Sequence, residues 1–220
     1  MGTAQMGEPS RLAVLGAGHV GPVIARLAIK AGYRVSIATS GDPEEIELIT
    51  ELVIPGAEPR WASDAVAGAG IVVLAMPLHR FMDLDPGLLA GKIVIDAMNS
   101  YTASGGHERF DPSTSSSEET LKRLPGARLV KAFNTIWFRH LTDRGRTDLP
   151  VGARHAIFLA GDDADAKRVV SRLIEEIGFA PVDTGSLHDG GRRQEPNTPL
   201  YNQVLTGVEG HSLASRPISA

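Results

Sequence analysis

Residues 11–38 read RLAVLGAGHVGPVIARLAIKAGYRVSIA, and this stretch decides the fold. Arg11 to Gly16 is a short apolar run ending in glycine, the pattern of a buried strand. From His19 to Ala31 the apolar residues Val20, Val23, Ile24, Leu27, Ala28 and Ala31 fall at helical spacing. Pro22 is tolerated in the first turn, where its missing N–H has no helical partner in any case. Gly32 stops the helix, because glycine accepts the left-handed backbone of a C-cap. Arg34 to Ala38 is a second strand. Strand, glycine turn, helix and strand within about thirty residues make a βαβ unit.

The turn itself is Gly16-Ala17-Gly18-His19-Val20-Gly21, a G-x-G-x-x-G that follows a strand and opens a helix. Gly16 permits the tight turn, Gly18 lets the backbone approach a pyrophosphate, and Gly21 lets the helix pack close to the sheet. The helix N-terminus offers unpaired N–H groups to the anion. In this context the motif reads as a dinucleotide site rather than a purely structural turn. NAD sites place Asp or Glu about twenty residues on, against the ribose hydroxyls. Here that place reads Ala38-Thr39-Ser40-Gly41. Thr39 and Ser40 can hydrogen-bond a 2′-phosphate, which favours NADP over NAD, although no Arg follows at once and Asp42 is close.

The alternation continues outward. Pro43 to Leu52 suits a helix with Glu44, Glu45 and Glu47 early, where the helix dipole favours negative charge. Glu58 to Ala62 is a short strand, Ser63 to Ala69 a short helix, and Gly70 to Met76 and Gly91 to Asp96 are buried strands. Leu78 to Leu89 between them is helical but broken at Pro86-Gly87. Asn99 to Ser113 lacks periodicity and reads as a loop. The tract Ser115 to Ser117 before Glu118 and Glu119 is expected to be a solvated loop leading into a capping box. Arg128 to Phe133, His155 to Ala160 and Phe179 to Val182 are further strands, and Asp162 to Ile177 is an amphipathic helix. Pro196 to Thr206 is expected to form a short helix, with the last residues mobile. The pattern predicts an α/β, Rossmann-like, doubly wound and mostly parallel sheet with a short C-terminal helical extension. It divides into a tail over 1–10, a dinucleotide-binding domain over 11–190 and a covering segment over 191–220.

Composition narrows the function. The 220 residues carry a net charge of -4 and no cysteine, which excludes disulfides, thiol nucleophiles and cysteine metal sites. No basic run suggests nucleic acid. No apolar run approaches the roughly 20 residues of a membrane span, and no secretory pattern opens the chain, so a cytoplasmic protein is expected. None of Tyr33, Tyr101 and Tyr201 has Lys four residues later, as a short-chain dehydrogenase would need. The seven histidines show no compact ligand spacing, so neither a metal nor a catalytic acid–base residue is assigned. His79 stands out among them, just beyond Met76-Pro77 at a strand's carboxyl end, where such sheets bind ligands. Hydride transfer between two redox rings needs alignment more than an acid or base, and suits this inventory.

Several segments together resemble the coenzyme F420-dependent NADP oxidoreductase family, whose fold is shared with the cytoplasmic domain of the STEAP metalloreductases. They are residues 14–21 (VLGAGHVG), 74–77 (LAMP), 96–99 (DAMN), 130–136 (VKAFNTI), 160–163 (AGDD) and 179–187 (FAPVDTGSL). The resemblance implies NADP contacts at Gly16, Gly18, His19, Val20 and Gly21 and at Thr39 and Ser40. It extends them to Ala75, Met76, Pro77, His79, Asn99, Ala132 and Asn134. It implies a hydride-transfer cleft at Asn134, Thr135 and Ile136, with Trp137, Phe138, Pro199 and Tyr201 near a second ring. It also implies a homodimer whose other partner is a small-molecule redox cofactor. Two departures stand out. Ser-Arg is common in relatives where this chain has Thr39-Ser40-Gly41, and the deazaflavin enzymes carry His where Asn134 stands. Three readings follow: NADPH with coenzyme F420, NADPH with a flavin or other small acceptor, and a non-catalytic NADP-binding module.

Overall fold

The computed structural model describes residues 10–100 and 113–217. Its strands are β1 (Arg11–Leu15), β2 (Arg34–Ala38), β3 (Glu58–Pro59), β4 (Ile71–Leu74), β5 (Ile93–Asp96), β6 (Arg128–Ala132), β7 (Ala156–Gly161) and β8 (Ala180–Asp183). The helices are α1 (Val20–Lys30), α2 (Glu47–Val53), α3 (Ala62–Ala67), α4 (Leu78–Phe81), α5 (Ser116–Lys122), α6 (Phe138–Asp143), α7 (Ala164–Glu176), α8 (Asp189–Arg192) and α9 (Gly207–Ala214). The strands form one sheet in the order β3-β2-β1-β4-β5-β6-β7-β8. β1 to β6 run parallel, β7 pairs antiparallel with β6, and β8 runs parallel to β7. The chain winds from β1 toward β2 and then crosses to β4, so the strand order reverses between β1 and β4. That reversal opens a crevice beyond the carboxyl ends of these strands.

Both faces of the sheet are covered, and for this reason its central strands are apolar almost throughout. Leu12, Val14, Val73, Ile95 and Val130 face one way and meet Val23, Ile24 and Ala28 of α1 and Val170, Leu173 and Ile174 of α7. Ala13, Leu15, Val72, Leu74 and Val94 face the other way and meet Phe81, Leu89 and Leu124. A smaller cluster on β7 and β8 joins Ala156, Phe158 and Val182 to Leu200 and to Leu213 of α9. Among the described residues no helix is long and apolar enough to cross a membrane.

Two expectations are corrected. Pro196 to Thr206 is not helical; the helix lies beyond it, over Gly207–Ala214, opened by a capping box between Thr206 and Glu209. Gly207 and Gly210 disguise it, since glycine weakens helices, but both are needed for packing. A Cβ on Gly207 would come within 2.7 Å of Ala180 Cβ, and one on Gly210 within 2.9 Å of Ala156 Cβ. The serine tract is not solvated either. Ser115 does open α5 in the expected capping box with Glu118, yet Ser115, Ser116 and Ser117 are all buried. Most of the Asn99 to Ser113 loop, most of the 1–10 tail and the last three residues lie outside the described residues.

His155, just before β7, is only 8% exposed and packs between the rings of His140 and Phe179, at 6.0 and 6.3 Å. Burial, and then the charges of Arg144 and His140, push its pKa down from 6.5 to about 4. The folded protein therefore holds it neutral, while the unfolded chain takes up a proton below about pH 6.5. Above that pH the linkage contributes nothing to the pH slope. Between pH 7.5 and 4.5, urea denaturation should show a loss on the order of 2 kcal/mol that is absent in His155→Gln, whose amide does not titrate.

Candidate functional site

The three motif glycines have different roles. Gly16 has φ +119°, and a Cβ there would lie 2.3 Å from the carbonyl oxygen of Ala75. Its N–H donates to Ala38 O at 2.8 Å, so one residue joins the ends of β1, β2 and β4. A Cβ on Gly21 would lie 2.2 Å from Gly16 O and 3.0 Å from Val14 Cγ1, which fixes how closely α1 approaches the sheet. At Gly18 a Cβ would meet nothing within 4 Å. Its bareness is not required by the fold, and the open space before it is room for a ligand. Beside it, the first turn of α1 carries no acidic residue and His19 makes no side-chain cap. The amides there remain available to an anion.

A cleft of about 570 Å³ runs from this turn along the carboxyl ends of β1, β2 and β4. That volume lies in the range of small-molecule sites. Gly16, Gly18, Thr39, Ser40, Ala75, Met76 and Pro77 all line it, so these sequence-predicted residues come together. Asp42 does not intrude: its Oδ1 accepts a hydrogen bond from Glu44 N at 3.0 Å. Trp61, Ser63 and Arg80 also line the cleft and were not anticipated. Trp61 and Ser63 follow β3, and Arg80 follows Pro77 at the end of β4. A sequence signal existed only for Arg80, a cation just past an apolar strand's carboxyl end. His79, on the same helix, is exposed and is not part of this cleft wall. Val20 and Gly21 act through α1 itself, while the exposed His19 ring stacks on Phe138 at 4.8 Å and 17°.

The ends of β5 and β6 form a second, polar group. Phe133 is buried with φ +67°, a conformation costing roughly 1–3 kcal/mol for a bulky residue. It turns the chain directly after β6. Asn134 then donates from Nδ2 to Gln194 O at 2.7 Å and to Asn99 Oδ1 at 3.3 Å. Asn99 donates from its own Nδ2 to Asn134 O at 3.0 Å and to the Tyr201 hydroxyl at 3.3 Å. Among the described residues the buried Asn134 Oδ1 and Gln194 Oε1 have no partner. Ala132, Thr135 and Ile136 are buried, so their side chains support this end rather than open onto solvent. Thr135 O is already taken by Asn202 N at 2.8 Å. Trp137 is exposed, with the Arg139 guanidinium 5.0 Å from its ring, and Pro199 is exposed on the strap over 194–202 that carries Tyr201.

Beneath that strap lies a fully buried lysine. Lys131 Nζ donates to Ser116 Oγ at 2.9 Å and Ser117 Oγ at 3.1 Å, with Asp96 Oδ2 at 3.7 Å and Glu195 Oε1 at 4.0 Å. Ser117 Oγ donates to Asp96, while Glu195 Oε1 accepts from both the N–H and the hydroxyl of Ser116. A buried ammonium is tolerable only when compensated in this way. The cluster explains why the serine tract is buried, and it ties α5 and the 194–202 strap to the ends of β5 and β6.

Residues 11–100 match the family described as NADP oxidoreductase coenzyme F420-dependent. A solved structure from Arthrobacter sp. FB24, assigned as an F420-dependent NADP-reductase, superposes with TM-score 0.70 at 25% identity, covering 89% of this chain and 98% of that one. The chain belongs to the coenzyme F420-dependent NADP oxidoreductase family. A hypothetical protein of Sinorhizobium meliloti, SMa0349, is similar to this chain at 30% identity and TM-score 0.79, over 90% of this chain and 95% of that one. Rat metalloreductase STEAP3 is 26% identical over 184 residues, 82% of this chain but 35% of that protein. The chain thus spans about a third of that curated relative's length.

The glycine geometry separates two substitutions. Gly16→Ala should cost at least about 3 kcal/mol or prevent folding, through positive φ and the clash with Ala75. Gly18→Ala should keep the melting temperature within about 2 °C while weakening NADPH binding at least about tenfold, because its methyl fills ligand space. Thermal melts and calorimetry check both. Trp61→Phe should also abolish the change in tryptophan fluorescence on nucleotide binding, whereas Trp137→Phe should preserve it.

Proposed function

We propose that the protein binds NADPH along the carboxyl ends of β1, β2 and β4 and exchanges hydride with the deazaflavin coenzyme F420. The observation that carries the nucleotide half is the empty space before Gly18, facing the uncapped start of α1, in a cleft that also holds Thr39 and Ser40. When bound, NADPH supplies hydride from its nicotinamide carbon. The chain's own contribution is to bind and align. Amides at residues 18–20 take the diphosphate, Thr39 and Ser40 take the adenosine ribose and its phosphate, and Met76 and Pro77 bound the cleft. Asn99 and Asn134, fixed by each other and by Tyr201, give the transfer end a rigid polar wall. The spare acceptor on Asn134 suits an N–H donor such as a carboxamide. Among the described residues no group of three His, Cys, Asp or Glu could hold a metal, and no step here calls for one. The resemblance to the family extends the reading to a cytoplasmic homodimer.

A second reading keeps NADPH and replaces F420 with a flavin or another small oxidant. Asn134 favours it, as does the similarity to a protein named as a metalloreductase. The two are separated by mixing protein and NADPH with F420, FMN, FAD or a quinone and following NADPH absorbance. Rapid oxidation by F420 alone supports the first reading, and oxidation by flavins alone supports the second. Tight NADPH binding without turnover would mean a non-catalytic module. Independently, Thr39→Asp should lower the preference for NADPH over NADH at least about tenfold, by placing a carboxylate beside the 2′-phosphate.

A further inference from the structure

We infer that Arg80, on the short helix α4 that follows β4, holds the 2′-phosphate of the nucleotide and sets the preference for NADP over NAD. This rests on the nucleotide reading above and deepens it. The end of β2 offers Thr39 and Ser40 but no cation, and two hydroxyls alone compensate a phosphate dianion poorly. A guanidinium suits that task because it is always charged and presents paired donors that match phosphate oxygens.

The cations near this end of the sheet can be distinguished by their partners. Arg60, just beyond β3, is engaged with Glu58 at 2.7 and 3.1 Å. Arg26 donates to Val53 O. Arg80 lines the same cleft as Thr39 and Ser40, it is exposed, and among the described residues its guanidinium has no hydrogen-bond or ion-pair partner.

The carboxylates around it leave that charge available. Asp42 caps the turn at Glu44. Asp85, another cleft residue, accepts from Gly87 N at 2.9 Å. Glu45 lies against Gly41 rather than in the cleft wall. Asp83 lines the cleft three residues after Arg80 without pairing with it. The hydroxyl of Thr39 accepts from Gly41 N at 3.4 Å, which leaves its hydrogen free to donate to a phosphate. Threonine, serine and arginine thus converge from two different strand ends, which is why no contiguous motif reveals them.

The test uses two ligands that differ only in the phosphate at issue, adenosine 2′,5′-bisphosphate and 5′-AMP, titrated by calorimetry into wild type, Arg80→Gln and Arg80→Lys. Wild type should prefer the bisphosphate. Arg80→Gln should bind it about 10–100-fold more weakly, the range expected on losing charge-assisted hydrogen bonds, with 5′-AMP affinity within twofold of wild type. Arg80→Lys should recover part of the loss, because it restores charge without the paired donors. An equal loss for both ligands would show that Arg80 merely shapes the cleft, and an unchanged bisphosphate affinity would also overturn the assignment. A wild-type protein that binds neither ligand would instead defeat the nucleotide reading itself. Since Arg80 is exposed and unpaired, the variants should keep the wild-type melting temperature, which confirms that the titrations compare folded proteins.

Discussion

Two backbones approach so closely at Gly16 that no side chain fits between them. The carbonyl of Ala75 occupies the place a methyl would take, and the N–H of Gly16 holds Ala38 at the end of β2. With β1, β2 and β4 drawn together at their carboxyl ends, α1 starts immediately beside the crevice left by the reversal in strand order. Gly21 then keeps the helix down on the sheet, so that its unpaired amides face the open space at Gly18. The site therefore follows from close packing rather than from chemical groups added to a finished scaffold. For this reason two of the three glycines answer to the fold, and only Gly18 stands where a side chain would meet nothing.

The other end of the site depends on a different balance. Buried apolar side chains make the sheet's centre, yet at the ends of β5 and β6 the chain buries an ammonium, a carboxylate and three serines. These groups are far apart in sequence and come together only in the folded state. They fix the 194–202 strap, and through Gln194 and Tyr201 the strap fixes Asn134 and Asn99. A charged interior is a poor source of net stability but a strict geometric constraint, because each partner must be present for the others to be tolerated. Rigid placement of a hydride donor and acceptor is what ring-to-ring transfer requires.

Much of this was legible in the chain. β2 was read to the residue, because Gly32 and Thr39 punctuate it on either side. The capping box at Ser115 and the long amphipathic α7 were equally plain, since caps and 3.6-residue periodicity are local signals. What escaped was non-local. The burial of Ser115 to Ser117 depends on Asp96 and Lys131, and nothing nearby in sequence announces it. α9 was missed because Gly207 and Gly210 look like helix breakers until Ala180 and Ala156 are seen against them. The reversed direction of β7 leaves no mark on an apolar run, which reads the same either way. Arg80 is hidden from a search along the chain after β2, because it reaches the cleft of Thr39 and Ser40 from α4, beyond a different strand.

The buried lysine also bears on how the molecule tolerates damage. Glu195 reaches it from a segment that contributes no strand to the sheet, so that segment resembles a dispensable appendage. Cleavage ahead of Glu195 would nevertheless leave a cation in a dry interior with fewer countercharges, and would remove the groups that hold Asn134 in position. A protease acting on this return would unfasten Asn134 from Gln194 while leaving the Gly16–Gly21 turn, tied to the ends of β2 and β4, untouched.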